Sequence, residues 1–373
     1  MRFTISLLEL QKNIALVLPA IPPKSTLYVL EHISVSLSDG TLTLVATDQE
    51  LTITTSVSVV STEDGNVLVP ARKLNEIIKA LGTEGDLEFT AHPTNYEVTL
   101  RTRFGEYKIK GMNSEEYPNI PEFPQGTSTT LTRSDMQRIA NKTTFAVSTE
   151  EYRPSMTGVY FEFKGEALIT VATDGYRLVR VTTPASNGAF PDGLSVIVPS
   201  KAIGLLSKAE SDVVMAVNKT HVQFIMASTR IVSRLIDEKF PAYENVIPKD
   251  NNLFCTFRQP ELLSAIRRAS IFTSSTSPQI RFAISKHGIN VSAEDNESGN
   301  KAHETVPCEF ESDDMEIGFN YRYFEEALQH INSDDTVESQ IQMSLSTPTR
   351  AVLLRPNTDA DTLLMLVMPM RIS

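Results

Sequence analysis

Leu42-Thr43-Leu44-Val45-Ala46-Thr47-Asp48 decides the fold reading, because it comes back. Leu168-Ile169-Thr170-Val171-Ala172-Thr173-Asp174 restates it 126 residues later. A weaker copy, Ile289-Asn290-Val291-Ser292-Ala293-Glu294-Asp295, follows after a further 121. Each is a strand-like run closed by a turn-forming aspartate. A second marker travels with the first. Val69-Pro70-Ala71-Arg72-Lys73-Leu74, Val198-Pro199-Ser200-Lys201-Ala202-Ile203 and Gly318-Phe319-Asn320-Tyr321-Arg322-Tyr323 are spaced by 129 and 120 residues. Two markers with one period define a unit of about 120 residues, present three times.

Each unit reads alike. A helix is expected early, over 7–18, 132–147 and 259–272, and another late, over 71–81, 200–209 and 321–331. Leu74, Ile77, Ile78 and Leu81 make one apolar stripe at helical spacing. Pro70 and Pro199 fall where a first-turn proline is tolerated. The rest alternates, as in Leu51, Ile53, Val57 and Val59, with Gly40, Gly165 and Gly288 at hairpin turns. The expected class is α+β: three tandem similar domains, each with two helices packed on antiparallel sheet. Proline-bearing links at Tyr117-Pro118-Asn119-Ile120-Pro121 and Phe240-Pro241-Ala242-Tyr243, the second stiffened by Pro248, place the domains at 1–125, 126–248 and 249–373.

Composition narrows the class. The chain is 41% hydrophobic and 21% charged, and no apolar run approaches the roughly 20 residues of a membrane helix. Met1-Arg2-Phe3-Thr4-Ile5-Ser6-Leu7 turns polar too soon for a secretory signal, so a cytoplasmic protein is expected. Two cysteines, Cys255 and Cys308, make neither a disulfide framework nor a zinc site, and both are read as small buried hydrophobes. The net charge of −12 argues naively against DNA, whose binding rests on cations neutralising phosphates. Yet the six helical segments together carry +6, leaving −18 elsewhere. That suits a protein presenting only its helices to DNA, and it equally suits ordinary exposed helix faces. There is no Trp and no aromatic interleaving, so any DNA contact would be with phosphates, indifferent to sequence.

No phosphate-binding, dinucleotide, zinc-protease or nucleophile-elbow motif occurs, and the six histidines lack ligand spacing. Asp48, Asp174 and Asp295 could be imagined as a metal cluster, but equivalent positions in three repeats do not converge easily. An aspartate bonding the backbone of its own turn is the better account. Asp313-Asp314 and Asp334-Asp335 are read as solvated turns. No metal, cofactor or catalytic residue is expected. An enzyme of nucleotide metabolism with an unrecognised site, and a monomeric peptide-binding scaffold, remain the competing readings.

The chain resembles the beta subunit of bacterial DNA polymerase III, the sliding clamp family, over essentially its whole length. The resemblance is carried by Thr173-Asp174-Gly175-Tyr176-Arg177-Leu178, Phe240-Pro241-Ala242-Tyr243, Met315-Glu316-Ile317-Gly318-Phe319-Asn320 and Val367-Met368-Pro369-Met370-Arg371. It implies a non-catalytic processivity factor, a head-to-tail homodimeric ring around duplex DNA whose hole is lined by twelve helices. Replicative polymerase, clamp loader and other replication and repair proteins would bind through a short peptide with Leu and Phe anchors. The resemblance places that peptide in a cleft of Met156, Thr173, Gly175, Tyr176, Arg177, Leu178, Pro241, Asn245, Val246, Asn320, Tyr323, Val367, Met368, Pro369, Met370 and Arg371. A Met- and Pro-lined groove suits several partners. Read from the residues alone, Met365, Met368 and Met370 are a last strand with core methionines. Asn245 stands where many members carry Arg, and Met156 where Leu is common. The DNA-facing cations would be Lys12, Lys24, Arg72, Lys73, Lys79, Arg138, Lys142, Lys201 and Lys208. At the ring interface Lys73, Arg103 and Tyr107 would face Ile271, Phe272, Glu297 and Glu304.

Overall fold

The recurring aspartate does what its turn chemistry predicts. Asp48 Oδ1 accepts from the N–H groups of Glu50 and Leu51 at 3.1 and 2.7 Å. Asp174 Oδ1 accepts from Tyr176 and Arg177, both at 2.9 Å, and Asp295 Oδ1 accepts from Glu297 at 3.1 Å. Each carboxylate thus satisfies backbone donors that a tight reversal leaves unpaired.

The computed structural model describes residues 1–120, 123, 126–185, 190–274, 277–295, 297–332, 340–357 and 362–372. Pro121, Asp334-Asp335, Ser373 and the expected boundary near 125 lie outside the described residues. The first repeat runs β1 (Arg2–Ser6), α1 (Leu7–Val17), β2 (His32–Ser38), β3 (Thr41–Thr47), β4 (Leu51–Ser58), β5 (Val60–Glu63), β6 (Gly65–Pro70), α2 (Ala71–Leu81), β7 (Asp86–Ala91), β8 (Glu97–Thr102) and β9 (Gly105–Lys110). The second runs β10 (Thr127–Leu131), α3 (Arg133–Thr143), β11 (Gly158–Lys164), β12 (Ala167–Thr173), β13 (Arg177–Pro184), β14 (Asp192–Pro199), α4 (Ser200–Leu205), β15 (Val213–Val217), β16 (His221–Met226) and β17 (Thr229–Arg234). The third runs β18 (Leu253–Arg258), α5 (Gln259–Ser270), β19 (Gln279–Ser285), β20 (Gly288–Asp295), β21 (Asn300–Val306), β22 (Cys308–Phe310), β23 (Met315–Asn320), α6 (Tyr321–Ile331), β24 (Gln340–Leu345), β25 (Val352–Pro356) and β26 (Leu363–Val367). The class is α+β, few helices on extensive antiparallel sheet.

All six expected helices form. Two end early: α3 and α4 tighten into single 3-10 turns at Thr144–Ala146 and Leu206–Lys208. Pro70 and Pro199 stand one residue before their helices rather than in the first turn. Gly40 and Gly165 make hairpin turns with φ of +74° and +59°. Gly288 does not; it opens β20, where a Cβ would lie 2.7 Å from the Val306 carbonyl oxygen.

Two compact units result, Met1–Arg133 with Glu210–Leu235, and Ser134–Ala209 with Ile236–Ser373. The division cuts through the second repeat because sheets run across repeat junctions. The first unit has sheets ordered β5-β1-β7-β8-β9 and β10-β15-β16-β17-β4-β3-β2-β6. The second has β14-β11-β12-β13-β26-β25-β24-β18-β22 and β21-β20-β19-β23. The two junctions share one register: Ile53 faces Ile231 across β4 and β17, and Val179 faces Met365 across β13 and β26.

The cores are ordinary apolar layers between helix and sheet. In the first unit α1 and α2 pack together, burying Leu7, Leu10, Ile14, Leu74 and Ile78, while Phe3 stacks on Phe89 at 4.8 Å. In the second unit α5 packs on α6 over Phe282, Phe319 and Phe324, whose ring centres lie 4.8 to 5.3 Å apart. Each such side chain contributes roughly 1.5–3 kcal/mol on burial. Cys255 is buried and Cys308 half-buried, both free, and burial pushes both thiols up.

Candidate functional site

In the second unit the link at Phe240–Val246 is not a bare connector. Phe240 and Tyr243 are buried on the outer face of the long sheet, over Val171, Leu178, Leu353, Leu364 and Leu366 at the β13–β26 junction. Phe240 stacks on Tyr160 at 4.7 Å, and the Tyr243 hydroxyl donates to Glu162 at 3.0 Å. The segment therefore covers the seam, and its far end is left as the rim of a groove.

That groove, about 640 Å³, brings together Asn245, Val246 and Met368 from the expected set. Ile247, Pro248, Thr349 and Arg350 are among its other walls. The β24–β25 turn that supplies Thr349 and Arg350 was missed, since nothing in Ser346-Thr347-Pro348-Thr349-Arg350 distinguishes a groove wall from any loop. Val246 and Met368 are exposed large hydrophobics, which a lone soluble chain seldom clusters.

The tail is pinned at both ends of its reach. Met368 N–H donates to the Tyr176 carbonyl at 2.8 Å, and Met370 N–H to that of Gly318 at 2.8 Å. Gln279 Nε2 donates to the Arg371 carbonyl at 2.7 Å. Met365 is a core residue of β26, as the last-strand reading had it; Met368 is exposed, Met370 and Pro369 half-buried, Arg371 exposed.

Tyr176 is exposed and stacks parallel to the half-buried Tyr323, centres 5.7 Å apart. Arg177 lies behind them. Its Nε donates to Asp174 at 3.1 Å, its Nη2 to the Phe145 carbonyl at 2.5 Å, and its Nη1 to Glu326. The guanidinium also faces the rings of Phe145 and Tyr323, at 5.2 and 5.0 Å. So Arg177 is an internal brace rather than a free cation. Burial first, then the Asp174 carboxylate, raise the Tyr323 hydroxyl above its usual range. Gly175 is exposed with φ +92°, and Met156 is half-buried nearby in the chain from the exposed pair Tyr152–Arg153. Arg153 Nη1 would lie 3.4 Å from a Cβ on Gly175, so this pair also borders the turn, unforeseen from the sequence. Asn320 caps α6 through Oδ1, and Pro241 is exposed.

Several expected residues are structural here. Val367 is fully buried, so the structure removes it from the contact surface; strand alternation turns it inward beside Arg177, while Leu366 turns outward. Thr173 and Leu178 are buried too, Thr173 Oγ1 donating to the Arg177 carbonyl at 2.6 Å.

Of the expected DNA-facing cations, Lys142 is corrected. It is 3% exposed, and its ammonium donates to the carbonyls of His330 and Asn332 at 2.6 and 2.7 Å. Burying Lys there is tolerable because those carbonyls accept hydrogen bonds from its ammonium, and the site fastens α3 to the end of α6. Arg138 is half-buried and donates to Thr362 Oγ1 at 2.8 Å. Lys12, Lys24, Arg72, Lys73, Lys79, Lys201 and Lys208 are exposed. Lys12 pairs with Glu9 at 3.4 Å, and Lys73 with Glu76 at 3.6 Å. Arg72 Nη2 donates to the Pro23 carbonyl at 2.5 Å, tying the loop that carries Lys24 to α2.

Of the interface set, Ile271 and Phe272 are exposed apolar residues at the end of α5, at 77% and 38%. Arg103 pairs with Glu84 at 3.7 Å and lies over Phe104, itself exposed and overlooked in the sequence. Tyr107 is half-buried on β9 and Glu297 exposed. Glu304, on β21, is already held by Arg268 at 2.8 Å. Among the described residues β9 and β21 each pair on one side only, and no three His, Cys, Asp or Glu are grouped to hold a metal. Among the described residues no helix is long and apolar enough to cross a membrane.

Known proteins resemble this chain along its length. The N-terminal, central and C-terminal domain families of the DNA polymerase III beta subunit match residues 1–121, 130–242 and 244–371. The beta sliding clamp of Treponema pallidum is 29% identical over 371 residues, covering 96% of each chain. That of Pseudomonas aeruginosa is 28% identical, covering all of both. The solved structure of the sliding clamp of Bartonella birtlesii bound to griselimycin is 26% identical, covers all of both chains and has a TM-score of 0.92.

Proposed function

Because the chain belongs to the beta subunits of DNA polymerase III and is a non-catalytic DNA sliding clamp, we propose that two copies close head to tail into a ring around duplex DNA and tether the polymerase through the groove at Val246 and Met368. The reading takes the three clamp domains at 1–125, 126–248 and 249–373, in the cytoplasm.

One observation carries closure. The four-strand block β1-β7-β8-β9 recurs as β10-β15-β16-β17 and as β18-β24-β25-β26. The block β4-β3-β2-β6 recurs as β13-β12-β11-β14 and as β21-β20-β19-β23. Twice the last strand of one kind pairs with the first of the other, β17 with β4 and β26 with β13. The two strands left over, β9 and β21, are the equivalents that would make the third junction, but in different repeats. A second copy supplies the missing partner, giving two identical closing junctions that leave neither β9 nor β21 unpaired. Carrying the shared register over sets Ala302 opposite Tyr107 of the second copy. Ile271, Phe272 and Phe104 would supply apolar cover, with Lys73, Arg103 and Glu297 at the rim.

DNA passes through by phosphate attraction. The exposed cations Lys12, Lys24, Arg72, Lys73, Lys79, Lys201 and Lys208 provide a diffuse field, and a sliding contact requires no base readout. Partner peptides use the exposed surface of Tyr176, Asn245, Val246, Met368, Pro369, Met370 and Arg371, with Tyr323 and Asn320 behind it. Asn245 and Met156 at the rim would set peptide preference.

The test is retention on nicked circular DNA, supplied with clamp loader and ATP, against the same DNA after linearisation. A ring stays on the circle and runs off the linear form. Equal loss from both refutes closure.

A further inference from the structure

Beyond the groove lies a second pocket, about 450 Å³, on the outer face of the same sheet. Its floor is Leu353 and Leu364, and its walls are Ile247, Pro248 and Phe254. Phe254 is 49% exposed, although an aromatic ring on a strand usually finds cover. Asn251 donates from Nδ2 to the carbonyls of Ser344 and Ala351, both at 3.0 Å, which fixes the loop wall against β24 and the approach to β25.

The pocket is cationic in an otherwise acidic protein. Arg180 on β13 sits across from Leu364 on β26, and Arg355 stands on the next strand, β25. Both are half-buried, and with exposed Lys249 they line the same space. Among the described residues none of the three makes an ion pair. The one carboxylate in the lining, Glu244, is drawn 3.8 Å from Lys164, while Asp250 next door is taken by Arg350 at 2.7 Å. Two guanidiniums held at an apolar floor without a counter-ion form a receptor for carboxylate.

The pocket is also continuous with the groove. Glu244, Ile247, Pro248 and Lys249 line both, so a chain leaving Val246 and Met368 meets Arg180 and Arg355 next. We propose that this pocket is an accessory subsite for an acidic segment flanking the apolar anchors of a partner peptide. The proposal rests on the groove being the peptide site. Apolar anchors supply affinity there, and the flanking carboxylates select among partners that share those anchors.

Fluorescence anisotropy on the full-length protein tests it, with dye-labelled Gly-Ser-Leu-Ser-Leu-Phe as core probe. Companion probes carry Asp-Glu-Asp or neutral Asn-Gln-Asn at either end. One acidic probe should bind about tenfold tighter than its neutral counterpart, with the gain shrinking as salt rises. The double variant Arg180→Gln/Arg355→Gln should lose that gain and keep its affinity for the core probe. Core binding without acidic gain, or a gain that survives the double variant, overturns the proposal alone. If no probe binds, the groove reading fails and takes the subsite with it. If single-stranded oligo-dT displaces the acidic probe through Arg355, the pocket takes phosphate and the acidic-peptide assignment is refuted.

Discussion

Replacing Arg177 with methionine tests the brace that joins β13 to α6. Methionine keeps most of the apolar stem, so the loss is that of the guanidinium. Arg177 is 9% exposed, and Asp174 is nearly as buried, so their ion pair is screened little. Asp174 keeps two backbone donors after the change, which limits its cost to about 1–2 kcal/mol. Glu326, about half exposed, regains water and loses about 0–1 kcal/mol. The Phe145 carbonyl loses its donor, about 1 kcal/mol, and the two ring faces lose about 0.5–1 kcal/mol each. The sum is about 3–6 kcal/mol, carried by local structure. Hydrogen-exchange mass spectrometry on peptides spanning 173–184 should show opening easier by that amount, while peptides from β2 to β4 stay unchanged. Glu326→Gln alone should cost about 1 kcal/mol or less, and adding it to Arg177→Met should add almost nothing. Protection within about 0.5 kcal/mol of the unaltered chain for Arg177→Met would refute the brace.

Three further outcomes follow from the same geometry. Ala302→Cys with Tyr107→Cys, in a Cys308→Ser background, should give a covalent dimer on oxidation, and Ala302→Cys with Lys110→Cys should not; the reverse pattern on a denaturing gel would refute the copied register. His32 is buried and its imidazole is held below the ordinary value of 6.5, desolvation outweighing its bond to the Tyr28 carbonyl. The folded form binds the proton less readily than the unfolded, so stability is full above about pH 6.5 and falls as pH drops through that value. Urea midpoints followed by circular dichroism should decline below it less steeply in His32→Gln. Gly288→Ala forces a methyl to within 2.7 Å of the Val306 carbonyl at a φ of +135° and should cost about 2 kcal/mol or more, read as a lower urea midpoint; an unchanged midpoint would show that β20 can shift to admit it.

Much of this protein was legible in local sequence. The aspartate turns were readable because their hydrogen bonds close within three residues, and the helices because an apolar stripe at 3.6-residue spacing needs no distant partner to announce itself. The repeat was readable because copies of one unit keep their turn chemistry even as their cores drift. The family's motifs singled out Val246 and Met368, and these two do line one groove. What stayed hidden depends on contacts between residues far apart in the chain. Lys142 has the sequence context of an exposed cation, yet two carbonyls at the end of α6 bury it. Arg177 is a brace because Phe145, Asp174, Glu326 and Tyr323 surround it, and three of these lie more than 30 residues away. Val367 and Leu366 differ only by strand parity, which the pairing with β13 sets. The shared register of the two junctions, and the unpaired edges of β9 and β21 it leaves behind, exist only once the sheets are formed, because hydrogen bonds between strands are not written in either strand alone.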